Sequence, residues 1–267
     1  MGSFDINYLK NKNFHKNDEE TSLDEETHIY NIQGKYDFTS MTTFIHSLFN
    51  SFDADKIITN MMSSKNWSNN KYYGMTREEI KDLWNKNKND ASDNGTKMHL
   101  NIEKFYNGAN IIDESVEWLY FMKFYKHYNH LLQPYRTEWI VYDKQLKIAG
   151  SIDMIFKSKP EKILNNKEVI DIYDWKRCKD ITKVSSFNKW ALNPLISHIP
   201  DTNYWHYAFQ LNGYKWILEN NYDKIIRDMY LVCLHPDNFN DSYKLIKIPD
   251  LQEEINILFE ERKMNIN

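Results

Sequence analysis

Residues 147–156, KIAGSIDMIF, and residues 168–176, EVIDIYDWK, decide how this chain is read. Both are rich in Ile, Val, Tyr and Phe and read as β-strands, as does Arg136–Tyr142 before them. Polar segments at Asp143-Lys144 and at 157–167 separate the three, so a three-strand antiparallel meander is expected. Alternate side chains of a strand share a face. Asp174 and Lys176 therefore point the same way as Ile170 and Ile172 and end a core-facing row. Charged groups in such a place need a partner or a task, because burying them alone is costly. Asp153 lies on the preceding strand, which the 157–167 loop places beside them. Two carboxylates and an ammonium thus converge on one patch.

Working outward, a helix is expected over Asn203–Asn220, then a strand at Met229–Leu234 and a helix over Leu251–Lys263. Upstream, Phe44, Ile45, Leu48 and Phe49 recur at helical spacing. Thr76 followed by Glu79 is a capping box opening a helix over 76–89, with Leu83 and Trp84 as its buried stripe. Further helices are expected over Thr96–Tyr106 and Asp113–Leu131, the latter with a core cluster of Trp118, Tyr120, Phe121 and Phe124. The order argues for an α/β fold, a mixed β-sheet core flanked by helices with an N-terminal helical subdomain. On this reading 36–267 is one domain, mainly helical over 36–132 and α/β over 133–267. Residues 1–35 are expected to be a disordered polar tail. Its acidic runs, Asp18-Glu19-Glu20 and Asp24-Glu25-Glu26, read as solvated charge.

The 267 residues are 41% hydrophobic and 27% charged, an ordinary globular composition, with a net charge of -4. A globally basic nucleic-acid binder is excluded, so any such partner must use a local, salt-sensitive groove. Cys178 and Cys233 are far apart and in no metal-ligand pattern, which excludes a disulfide framework, a zinc knuckle and an iron-sulfur cluster. No stretch has the length and apolarity of a membrane span, so a soluble, intracellular, cytoplasmic protein is expected.

Paired carboxylates beside a lysine are what metal-assisted phosphodiester hydrolysis requires. Hard oxygen donors hold Mg2+ or Mn2+, and a nearby ammonium steadies developing negative charge. His99 and Glu103, spaced i, i+4 on a helix, face one direction, and a neutral imidazole suits Mn2+. Gln210 and Tyr214 share one face of another helix. Each of these pairs, taken alone, is more often structural.

Taken in order, His99, Asp153, Asp174-x-Lys176 and Gln210-x-x-x-Tyr214 resemble the RecB-type branch of the PD-(D/E)XK nucleases. That branch includes lambda exonuclease, the RecB nuclease domain and the CRISPR-associated RecB-like nucleases. With Ala149-Gly-Ser-Ile-Asp153 and Asp174-Trp-Lys-Arg177, the chain looks closest to nucleases encoded by giant DNA viruses, which would place it in the host cytoplasm. The resemblance covers about residues 36 to 240. It implies a restriction-endonuclease-like core and a metal-dependent deoxyribonuclease, an exonuclease acting on DNA ends in repair or recombination. Asp153, Asp174, the Trp175 backbone carbonyl and His99 would hold a two-metal Mg2+ or Mn2+ site, with Lys176 as the catalytic lysine. Gln210 and Tyr214 would support the site and contact DNA, with Glu103 and Arg177 beside them. Glu138 matches an acidic residue upstream of Gly-x-x-Asp and is either catalytic or a bonded structural carboxylate. The iron-sulfur cysteines of the CRISPR-associated members are missing. A ring-like homo-oligomer, as in lambda exonuclease, does not follow from shared motifs. The rival readings are a catalytically silent DNA-binding module and an endonuclease or RNase with the same centre.

Overall fold

In the computed structural model, which describes residues 4–24, 27–185 and 188–266, the three β-rich stretches lie side by side in one mixed sheet. In chain order the elements are α1 (Tyr8–Lys12), β1 (Thr21–Asp24), β2 (Ile29–Ile32), β3 (Thr39–Ser40), α2 (Met41–Ser47), α3 (Ala54–Met62), α4 (Arg77–Tyr106) and α5 (Val116–Tyr128). There follow β4 (Leu132–Asp143), β5 (Ile148–Ser158), β6 (Ile163–Leu164), β7 (Lys167–Lys176), α6 (Asn203–Asn221), β8 (Lys224–Cys233), β9 (Lys244–Lys247) and α7 (Gln252–Ile266). The meander is β4–β5–β7, antiparallel throughout, and α6 then carries the chain over to β8, parallel to β7. Among the described residues, no helix is long and apolar enough to cross a membrane.

Helices cover both faces of the sheet. The alternation along β7 shows why: Ile170 and Ile172 enter a core with Met41, Phe44, Phe209 and Phe259 of α2, α6 and α7. Tyr173 and Trp175 enter a second core with Met98, Ile102, Phe121 and Phe124 of α4 and α5. The end of α4 and α5 thus pack on the sheet itself rather than forming a subdomain beside it, whereas residues 85–94 of α4 are solvent-exposed.

Three expectations are corrected. The helices read over 76–89 and 96–106 are one thirty-residue helix, α4, opened by the Thr76–Glu79 capping box and continuous through Gly95. Its buried residues are Ile80, Met98 and Ile102, not Leu83, which is exposed, or Trp84, which packs against Phe52 and Tyr72. A helix needs only one apolar stripe at its docked end, so the polar middle continues in solvent without a break.

The N-terminal segment is folded as well. It supplies α1 and the β1–β2 hairpin, and Asp18 of its acidic run is buried. Asp18 Oδ2 lies 2.7 Å from Arg136 Nη1 and Oδ1 accepts the Trp139 indole N–H at 2.8 Å. The Arg136 guanidinium, itself stacked over the Trp139 ring at 4.6 Å, is the reason an acidic residue is drawn inward. Glu25 and Glu26 lie outside the described residues.

Candidate functional site

The site forms where β5 loses its strand neighbour. β4 pairs along the length of β5, so β3 and β7 share the other edge, β3 at Ile148–Ala149 and β7 at Met154–Lys157. Residues 150–153 between them have no strand partner on that edge. The β5–β7 ladder stops at Met154–Tyr173, one rung before Asp153 and Asp174 would meet. On the other side, Glu138 stands between the Thr137–Met154 and Trp139–Ile152 pairs, across from Asp153. Three carboxylates therefore fall on one line across β4, β5 and β7, at the point where the sheet parts.

Each is held by specific contacts. Asp153 Oδ2 accepts the Trp175 backbone N–H at 2.9 Å, taking the place of the missing ladder bond. Glu138 adopts φ +41°, the left-handed region costly for a side chain with a Cβ, and its Oε2 accepts from Ser151 Oγ at 2.8 Å. His99 reaches in from α4, its Nδ1 3.5 Å from Asp153 Oδ2 and 4.0 Å from Glu138 Oε1. One ligand atom from each of His99, Glu138 and Asp153 lies within 4.8 Å of the others. Asp174 is buried with Oδ2 2.7 Å from Lys176 Nζ, yet no donor is in line with that oxygen.

The charges are unbalanced. Burial, opposed by Lys176 and reinforced by Asp153, pushes the Asp174 carboxyl up to about 6. Burial and the facing Asp153 raise Glu138 to about 8, and burial raises Asp153. Burial and Lys176 lower His99 to about 4, so its imidazole is neutral at neutral pH. Burial opposes the charge on Lys176, but Asp174 and Asp153 outweigh it and hold the ammonium above its ordinary range. Three crowded carboxylates face one ammonium, and a divalent cation is the natural compensation. The donor set fits such an ion: hard carboxylate oxygens, a neutral imidazole, and a buried Asp174 oxygen without a donor.

The supporting residues largely fall where the sequence placed them. Tyr214 packs on Gly150 so tightly that a Cβ there would lie 2.5 Å from Tyr214 Cε1 and 2.6 Å from its hydroxyl. Gln210 Nε2 donates to Tyr214 at 3.3 Å and to Thr42 at 3.1 Å. The charge of Glu103, one turn beyond His99, acts on Glu138. The Trp175 backbone N–H serves Asp153, and its side chain lies in the second core. Arg177 is the exception: its Nε bonds Glu117 Oε1 at 2.6 Å with both side chains largely buried, which ties it to α5 instead of leaving it for phosphate.

Two residues escaped the sequence reading. Tyr207 lies under Lys176, whose Nζ is 4.8 Å from the ring centroid. Its spacing, i, i+3 and i+7 with Gln210 and Tyr214, was the available signal. Tyr30 of β2 is buried near Glu138 and Asp153, whose charges add to burial in raising its phenol to about 12. No local pattern marked it, because its place depends on the docking of the N-terminal hairpin.

No family model matches the chain, and no curated protein matches it. Among solved structures it is similar to the crystal structure of SSO0001, with 13% identity and a TM-score of 0.32, over 87% of this chain and 77% of that one. A likeness at that level bears on neither fold nor function.

Proposed function

We propose that this chain is a metal-dependent nuclease of the PD-(D/E)XK type that hydrolyses DNA phosphodiester bonds, working from DNA ends. The observation that carries this reading is the line of Glu138, Asp153 and Asp174 across three strands, with His99 and Lys176 at its sides. His99, Asp153 and Glu138, whose ligand atoms gather at one point, would hold Mg2+ or Mn2+, with Asp174 and the Trp175 carbonyl as the further ligands the resemblance implies. A bound ion of this kind polarises the phosphate and acidifies a water. Lys176, kept charged by Asp174 and Asp153, would donate to the oxygen on which negative charge develops. The preference for ends rests on the resemblance of the His99 and Gln210-x-x-x-Tyr214 pattern to a branch rich in end-processing enzymes.

The test is digestion of end-labelled linear DNA beside a closed circle, with Mg2+, Mn2+ or a chelator. Loss of the linear DNA alone, only with metal, is the expected result. Cutting of both would make the enzyme an endonuclease, and cutting of neither would overturn the nuclease reading. Lys176→Ala should bind DNA almost normally and cut roughly a hundred- to a thousandfold more slowly. Lys176→Arg should not restore the rate, because a guanidinium is larger and forks its donors differently.

A further inference from the structure

Lys176 Nζ lies 2.7 Å from Oδ2 of the buried Asp174, its ion-pair partner. A lysine carries three tetrahedral donors on a flexible stem, so a carboxylate at one side leaves it free to swing. A ring meets the ammonium as well. The Tyr207 centroid is 4.8 Å from Nζ, within the range where an ammonium is attracted to a π-face.

The ring belongs to α6, which is tied to the end of β7. Cys178 lies two residues beyond Lys176 on the same chain. Asn203, one turn before Tyr207 on α6, donates to Cys178 Sγ at 3.1 Å and to the Asp180 carbonyl at 2.7 Å. The end of β7 and the start of α6 are thereby stitched together at Cys178.

From this arrangement we infer that Tyr207 is a positioning residue, whose ring face, carried on the anchored start of α6, steers the Lys176 ammonium toward the parting between β5 and β7. The inference rests on the nuclease reading for its consequence, but the contact itself can be measured without it.

Three variants separate the ring face from bulk and from the hydroxyl. Tyr207→Leu and Tyr207→Met fill the space without a π-face, while Tyr207→Phe keeps the face and loses only the hydroxyl. Single-turnover cleavage of end-labelled DNA should fall roughly tenfold in the Leu and Met variants, with DNA affinity little changed. Tyr207→Phe should recover most of that loss. Wild-type rates in the Leu variant, or a Phe variant as slow as the Leu one, would overturn the inference. A thermal melt of each variant identifies any that fail to fold.

A second measurement is independent of cleavage. In the protein with 13C-methylated lysines, the Lys176 resonance, assigned by its loss in Lys176→Arg, should be shifted upfield by the Tyr207 ring. The shift should persist in Tyr207→Phe and vanish in Tyr207→Leu. An unshifted Lys176 signal in the wild-type protein overturns the inference even if every variant unfolds. A shifted signal in a protein that cuts no DNA would uphold the contact and sink the nuclease reading.

Discussion

Asp153 is the residue at which the chemistry and the fold pull in opposite directions. Burial raises its carboxyl and Glu138 faces it across the ladder, so ionising it at neutral pH works against folding. Because folding lifts its pKa, the ionised form lowers stability above the ordinary carboxylate range, and a neutral isostere regains what is lost. Asp153→Asn should therefore abolish cleavage while its melting temperature, measured at pH 7 without divalent metal, stays level or rises. The amide oxygen can still accept the Trp175 N–H, and Lys176 keeps Asp174. A clear fall in melting temperature would make Asp153 a structural carboxylate. Three residues earlier, Gly150 is required by space: the buried Tyr214 ring occupies the volume a Cβ would need. Gly150→Ala should cost about 1–3 kcal/mol in denaturant titration, because a rigid ring in a packed core cannot step aside cheaply. Tyr214→Leu should absorb much of that cost, so the double variant is less destabilised than the two single changes added together. Simple additivity would mean that the contact is not the cause.

At the level of elements, α4 tests how local rules and docking divide the work. Gly95 sits inside a thirty-residue helix with ordinary φ, and nothing lies within 4 Å of where its Cβ would be. Gly95→Ala should stabilise the protein by about 0.5–1 kcal/mol, seen as a higher denaturant midpoint at unchanged slope. A loss of stability would mean that the helix needs a break there, as the two-helix reading supposed. That reading failed because a glycine in a polar run is a local stop signal, whereas the helix is held by its docked end, where Met98 and Ile102 reach the second core. The strands were legible for the converse reason. β4, β5 and β7 carry enough β-branched and aromatic residues to declare themselves, and the period of two placed Asp174 and Lys176 on one face. The parting of β5 from β7 was not legible, since it depends on where a ladder stops. Nor was the φ of Glu138, which left its role open until the register set it across from Asp153. His99, Asp153, Asp174 and Lys176 were all visible because spacing within single elements fixed their faces. Tyr30 was not, because it arrives from a hairpin whose docking no local pattern encodes.

Across the whole molecule, the N-terminal segment is what ties the far end of this site together. Asp18 accepts from Arg136 at 2.7 Å, from the Trp139 indole at 2.8 Å and from the His15 backbone at 2.9 Å. Arg136 and Trp139 flank Glu138 on β4, and both are almost wholly buried. Glu138 holds an unfavourable backbone conformation between two side chains that cannot move, which is how a strained residue is kept in place. Removing Asp18 would leave a buried guanidinium without its counter-charge and an indole N–H without its acceptor. Asp18→Ala should then destabilise the protein by about 3–5 kcal/mol, as breaking one side of a buried ion pair does. An acidic tail residue in solvent would instead change stability by less than about 0.5 kcal/mol. The effect should also reach the site, because Glu138 can relax toward ordinary strand geometry once Arg136 is released. Below its melting temperature, folded Asp18→Ala should cut DNA more slowly than the wild type and need more Mn2+ for half-maximal rate. Unaltered stability and an unaltered metal requirement in Asp18→Ala would show that the segment is only a covering, and that β4 holds Glu138 by itself.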